Sequence, residues 1–150
     1  ELKQAFPWLL ANQTLGNMWV YRYPCEGEGV RAHTDEGSVT FNFWITPDAA
    51  NLQIGRGGLV TYTKEQPLDW EWQRFNLDKD DPATRKEIDS FLHSADTATI
   101  EYRANRALLF HSNLFHRSDY FRFKDDYQSR RMNVTLLFGE RGADVRLRYL

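Results

Sequence analysis

From Ser38 to Thr46 the chain reads SVTFNFWIT, a β-branched and aromatic run that Pro47 closes, so a strand is predicted there. The same texture predicts strands over Asn17 to Tyr23, Leu59 to Thr63, Thr97 to Tyr102, Arg106 to Phe110, Phe115 to Phe123 and Arg130 to Phe138. Val30 to Asp35 reads as a strand end. Turn chemistry separates these runs at Pro24 to Gly29, Glu36-Gly37, Ala104-Asn105 and Lys124 to Ser129, and a loop from Asp48 ends in Gly55-Arg56-Gly57-Gly58. One segment has helical spacing. Ile88, Phe91 and Leu92 recur behind an acidic cap at Asp81 and a proline at Pro82, which predicts a helix over about 82–94. Residues 3–13 read as a weak, short helix around Pro7, and residues 64–79 as an irregular connection carrying Trp70 and Trp72. Seven or eight short strands with one internal helix give an all-β sandwich or barrel, and a jelly roll fits the count.

Composition narrows the function. The 150 residues suffice for one domain with its own core, 1–16 serving as N-terminal helical support and 17–140 as the β core. Opening on Glu1 rather than Met, the sequence reads as a domain cut from a longer protein. A net charge of −2 without a basic stripe argues against a nucleic-acid partner. Cys25, the single cysteine, excludes an internal disulfide, and apolar runs such as Val134 to Phe138 are too short to span a bilayer. With no export signal at the start, a cytoplasmic location is the default expectation.

The sharpest chemical signal is His33-Thr34-Asp35. On extended backbone, residues i and i+2 face the same side, so an imidazole and a carboxylate can converge on one ion. Two histidines and a carboxylate with open positions suit non-haem Fe(II). Alone, the pattern is more often a surface histidine beside a turn-forming aspartate. A third ligand has to come from His111 or His116; His93, near the predicted helix end, suits the helix dipole.

A second signal lies in Arg130-Arg131-Met-Asn-Val-Thr-Leu-Leu-Phe138. Met132, Val134, Leu136 and Phe138 form an apolar face, which leaves Arg131, Asn133 and Thr135 on the other. A guanidinium turned into the interior requires an anion; an internal salt bridge, or a polar face in water, meets the pattern equally well. Arg130 and Arg122 are the fallback cations. On the strand before Pro47, Thr40, Asn42 and Trp44 share a face and are candidates to line a pocket, with Phe41, Phe43 and Ile45 packed behind.

Taken in order, these motifs over about residues 17–140 resemble the Fe(II)/2-oxoglutarate-dependent dioxygenases, in particular the prolyl-hydroxylase-like double-stranded β-helix domains. The likeness runs through the aromatic strand and glycine-bearing turn from Tyr21 to His33, the H-x-D pair and the Gly57-Gly58-Leu59-Val60 step. It continues through the apolar strand, short break and histidine at 106–116, and ends at Arg131 with Thr135 four residues later. The resemblance implies Fe(II) on His33, Asp35 and His116, with His111 left in the break. It implies 2-oxoglutarate as co-substrate, its far carboxylate on Arg131 and Thr135, with Tyr23 facing it and Asn133 and Thr40 beside it. It further implies O2 as reactant, a small-molecule or peptide substrate and, as the outcome, hydroxylation with release of succinate and CO2. Two other functions share the architecture. A cupin-like metalloprotein would not use 2-oxoglutarate and usually has more histidines than the four present. A non-catalytic jelly-roll module would use Trp70 and Trp72 as a binding platform and would not need the three metal residues to meet.

Overall fold

The computed structural model describes residues 1–77 and 81–141. In chain order the elements are α1 (Leu2–Ala5), α2 (Pro7–Leu10), β1 (Leu15–Arg22), β2 (Glu26–Gly27), β3 (Val39–Trp44), β4 (Leu59–Glu65), α3 (Trp72–Asn76), α4 (Pro82–Leu92), β5 (Thr97–Ile100), β6 (Ala107–His111), β7 (Leu114–Ser118), β8 (Phe121–Arg122) and β9 (Met132–Phe138), with a 3-10 turn at Asp48–Ala50. All pairings are antiparallel. One sheet has the order β1-β9-β3-β6, a second β5-β4-β7, and β2 pairs with β8. Side chains from both larger sheets meet in one cluster, where Trp44 of β3 joins Leu59 of β4, Tyr102, Phe121 and Phe123. Two sheets closed over a shared core make the jelly roll.

The polarity of the four-stranded sheet is inverted, and this creates the site. Thr40 and Asn42 on β3, and Asn133 and Thr135 on β9, are buried, as is Arg131 just before β9. The apolar partners of opposite parity, Phe41, Phe43, Val134 and Leu136, lie half-buried on the outer side, and Met18 and Val20 of β1 are exposed. Outside that sheet, α2 sets Leu9 and Leu10 against Val39 and Phe138, with Leu2 of α1 packed beside them. A further cluster joins α3 and α4 to β7, with Phe75, Ile88, Leu92 and Phe115 buried together. Each such buried side chain contributes roughly 1.5–3 kcal/mol. The Asp81 carboxylate caps α4 by accepting from Thr84 N at 2.9 Å, and this bond holds the Asp81 carboxyl below its usual range.

Several local expectations are corrected. The strand predicted over Phe115 to Phe123 is two strands, interrupted at Asp119-Tyr120, where the buried Asp119 carboxylate bonds Arg56 and Gly57. The helix predicted over 3–13 is two single turns with a break at Phe6 before Pro7, whose nitrogen has no proton to donate. Val30 to Asp35 contributes one isolated bridge rather than a strand end. Part of the turn at Pro24 to Gly29 pairs as β2. The connection at 64–79 contains α3, and its last two residues lie outside the described part of the chain. Ile45, expected to pack behind β3, is exposed. Among the described residues no helix is long and apolar enough to cross a membrane.

Candidate active site

His33, Asp35 and His116 meet. Their ligand atoms all lie within 4.8 Å of one another. His116 Nε2 is 3.5 Å from Asp35 Oδ2, and His33 Nε2 is 3.8 Å from Asp35 Oδ1. The imidazole centroids are 4.3 Å apart. Backbone pairing produces this approach: His33 N donates to His116 O and His116 N to His33 O, both at 3.0 Å. The flanking residues tie the loop to its neighbours by hydrogen bonds. Thr34 N donates to Asn76 Oδ1 at 2.8 Å, Thr34 Oγ1 to Gln66 Oε1 at 2.6 Å, and Asp35 N to Ser112 O at 2.9 Å.

Each imidazole spends its Nδ1 on a carbonyl two residues back, His33 on Arg31 O at 2.7 Å and His116 on Leu114 O at 2.9 Å. A carbonyl only accepts, so Nδ1 carries a proton and Nε2 is the ring nitrogen turned toward Asp35. Metal-bound histidines are oriented by this kind of contact. The Asp35 carboxylate is positioned in turn by Thr40 Oγ1 at 2.7 Å, and Thr40 lies 3.0 Å from Ser112 Oγ. Separations of 3.5 and 3.8 Å are too long for direct hydrogen bonds. They are longer than the roughly 3 Å expected between ligands that are each about 2.1 Å from one ion, so the three groups would draw inward on binding one. The donor set therefore fits a divalent cation with open positions.

The same cavity, about 320 Å³, is lined by these three residues and by Tyr23, Arg131, Asn133 and Thr135. Arg131 is 1% exposed. Its Nε donates to Gly57 O at 2.7 Å, Nη2 to Gly58 O at 3.1 Å and Nη1 to Asn133 Oδ1 at 3.1 Å. The Tyr23 ring lies under the guanidinium at 4.6 Å. Among the described residues no ion pair takes up this charge. Burial pulls the Arg131 pKa down, while Tyr23, Tyr102 and Asp119 act to hold the proton. Asn133 Nδ2 also donates to Asn42 Oδ1 at 3.2 Å, and lies 3.2 Å from Thr135 Oγ1.

The structure separates the candidates that sequence left open. His111 is turned away, its Nδ1 3.0 Å from Glu65 Oε1 near the surface, and His93 is the C-cap of α4. Arg130 bonds Asp125 and Arg122 faces Glu26, both at the surface. Trp44 packs on Tyr102 in the core rather than lining the cavity. Trp70 is stacked on Phe75 at 4.0 Å, so it forms no platform with Trp72. Trp72 does line the cavity, and its buried Nε1 has no hydrogen-bond partner among the described residues. Trp19 and Tyr21 also line it; their parity with Tyr23 was the available signal. Burial pushes the Tyr21 phenol up, and Tyr23 and Asp35 add to the shift.

In sequence the chain matches no protein-family model and no curated protein. In structure it is similar to a novel N-substituted L-amino acid dioxygenase from Burkholderia ambifaria AMMD, at 15% identity and a TM-score of 0.50, covering 84% of this chain and 53% of that one. A second structure from the same organism, described as a novel N-substituted L-amino acid dioxygenase in complex with alpha-KG, aligns at 14% identity and a TM-score of 0.48, over 84% and 52% of the two chains. The likeness is one of fold, and the chain spans about half the length of these structures.

Proposed function

We propose that the chain is an Fe(II)- and 2-oxoglutarate-dependent dioxygenase that hydroxylates a small-molecule or peptide substrate. One observation carries this reading: a two-histidine, one-carboxylate cluster and a buried arginine with no ion-pair partner among the described residues line the same cavity. His33 and His116 would hold the metal through Nε2, and Asp35 through its carboxylate. Bound iron and 2-oxoglutarate supply the oxidising chemistry, in which O2 is consumed, succinate and CO2 are released, and one oxygen atom goes to a substrate C–H bond.

The protein's own part is orientation and exclusion. Thr40 fixes the plane of Asp35, and the carbonyls of Arg31 and Leu114 fix the two imidazoles. Arg131 offers its fork to the far carboxylate of 2-oxoglutarate, with Thr135, Asn133 and Tyr23 around it. The cavity is at the small end of ligand sites. Trp19, Tyr21 and Trp72 wall the remainder. The fold shared with a Burkholderia dioxygenase agrees with this reading.

The test is 2-oxoglutarate consumption without added substrate. Slow succinate release that requires Fe(II) and O2, and that is lost in His33→Ala, supports the reading. Equal release by His33→Ala and the unmodified protein refutes it.

A further inference from the structure

Behind Arg131 lies a closed set of contacts that the reaction does not itself use. Asp119 is 2% exposed. Its carboxylate accepts from Arg56 Nε at 2.8 Å, from Arg56 Nη2 at 2.9 Å and from Gly57 N at 3.2 Å. Its backbone N–H donates to Gly58 O at 3.2 Å. Thus one residue grips both glycines, Gly57 through its amide and Gly58 through its carbonyl. The carbonyls of these same glycines receive Nε and Nη2 of Arg131.

The glycines are there because the backbone passes closer than a side chain permits. Gly57 has φ +86°, and a Cβ on Gly58 would stand 1.9 Å from Ile100 O. Charge is arranged to match. The fork of Arg56 neutralises Asp119, so this buried carboxylate makes no direct ion pair with Arg131. The guanidinium at the cavity therefore meets two neutral carbonyls: Gly58 O also accepts from Asp119 N, and Gly57 O belongs to the residue whose amide the Asp119 carboxylate binds.

We propose that Asp119 is a positioning residue: acting through Gly57 and Gly58 it fixes where the Arg131 fork stands, and so fixes the length of 2-oxo dicarboxylate that the pocket accepts. This rests on the reading of Arg131 as the partner of the 2-oxoglutarate far carboxylate.

The test is calorimetric titration of the whole chain loaded with Mn(II), without O2, using 2-oxoglutarate and the one-methylene-longer 2-oxoadipate. Asp119→Asn is expected to weaken 2-oxoglutarate about tenfold or more, because buried hydrogen bonds to a charged group are lost. The preference for 2-oxoglutarate over 2-oxoadipate should shrink several-fold, while Mn(II) affinity stays within about twofold, since the metal ligands share no partner with Asp119. A merely structural role would leave the preference intact. Arg56→Ala is the second variant; its side chain is 55% exposed, and it should shift the preference in the same direction. An unchanged preference in Asp119→Asn, or in Arg56→Ala should Asp119→Asn fail to fold, overturns the proposal. Arg131→Lys separates the two levels: if it too binds 2-oxoglutarate with unmodified affinity, the parent reading of Arg131 is what has failed.

Discussion

His33 and His116 lie directly opposite each other and exchange both backbone hydrogen bonds at 3.0 Å. The pairing joins residues 83 positions apart, counted from their numbers, so the two imidazoles are fixed by main-chain geometry rather than by side-chain packing alone. Asp35 then falls on the same side as His33, as the i, i+2 spacing requires. This bridge is what turns three scattered residues into one site.

Substitution of any of these three residues should therefore weaken metal binding sharply, and substitution of a neighbouring histidine should not. His33→Ala, Asp35→Ala and His116→Ala are each expected to lower Fe(II) or Mn(II) affinity by about 100-fold or more, beyond the loss usual for outer-sphere partners. His111→Ala should leave it unchanged, because His111 faces Glu65. Metal titration under anaerobic conditions distinguishes the two outcomes.

Thr40 was expected among the co-substrate contacts; it lines the cavity, but its hydroxyl is engaged on Asp35 Oδ2. Thr40→Val keeps the shape and removes the donor. Metal affinity should fall by roughly tenfold, with a stability loss of about 1 kcal/mol. Denaturant midpoints and metal titration, measured on the same preparation, separate these effects.

Arg131→Ala should act chiefly on the co-substrate. Truncating one partner of a buried charge pair costs enough to raise the 2-oxoglutarate requirement about 30-fold or more. Steady-state assays of succinate release against 2-oxoglutarate concentration read this directly; an unmoved KM would assign the carboxylate to another cation.

Tyr102 gives a stability prediction with a defined pH window. Its buried phenol donates to Thr46 O at 2.6 Å, and burial pushes its pKa from 10.0 to about 12. A raised folded-state value favours the protonated form. Its contribution is therefore complete below pH 10 and is lost as pH rises through about 12. Urea midpoints should fall across that interval in the unmodified protein, and Tyr102→Phe should flatten that part of the profile while lowering stability at neutral pH.

Much of this site could be read from sequence because its residues obey local periodicity. His33 and Asp35 share a face by spacing, and Arg131, Asn133 and Thr135 share one by alternation against four apolar partners. The selection of His116 over His111 needed the order of motifs, since spacing alone left both open. Asp119 was not legible. It lies inside a run that reads as continuous strand, and its partners, Arg56 and Gly57, are more than 60 positions away. Trp70 and Trp72, two residues apart, were read as a pair. One joins the core through Phe75 and the other the cavity, because Trp70 precedes α3 while Trp72 is its first residue.

The most direct measurement of the central claim is the visible spectrum of the protein under anaerobic conditions on addition of Fe(II) and 2-oxoglutarate. A weak charge-transfer band that needs both additions, and that is absent in Asp35→Ala, is the expected result. No band with the unmodified protein at saturating metal and 2-oxoglutarate, or an equal band with Asp35→Ala, would contradict it.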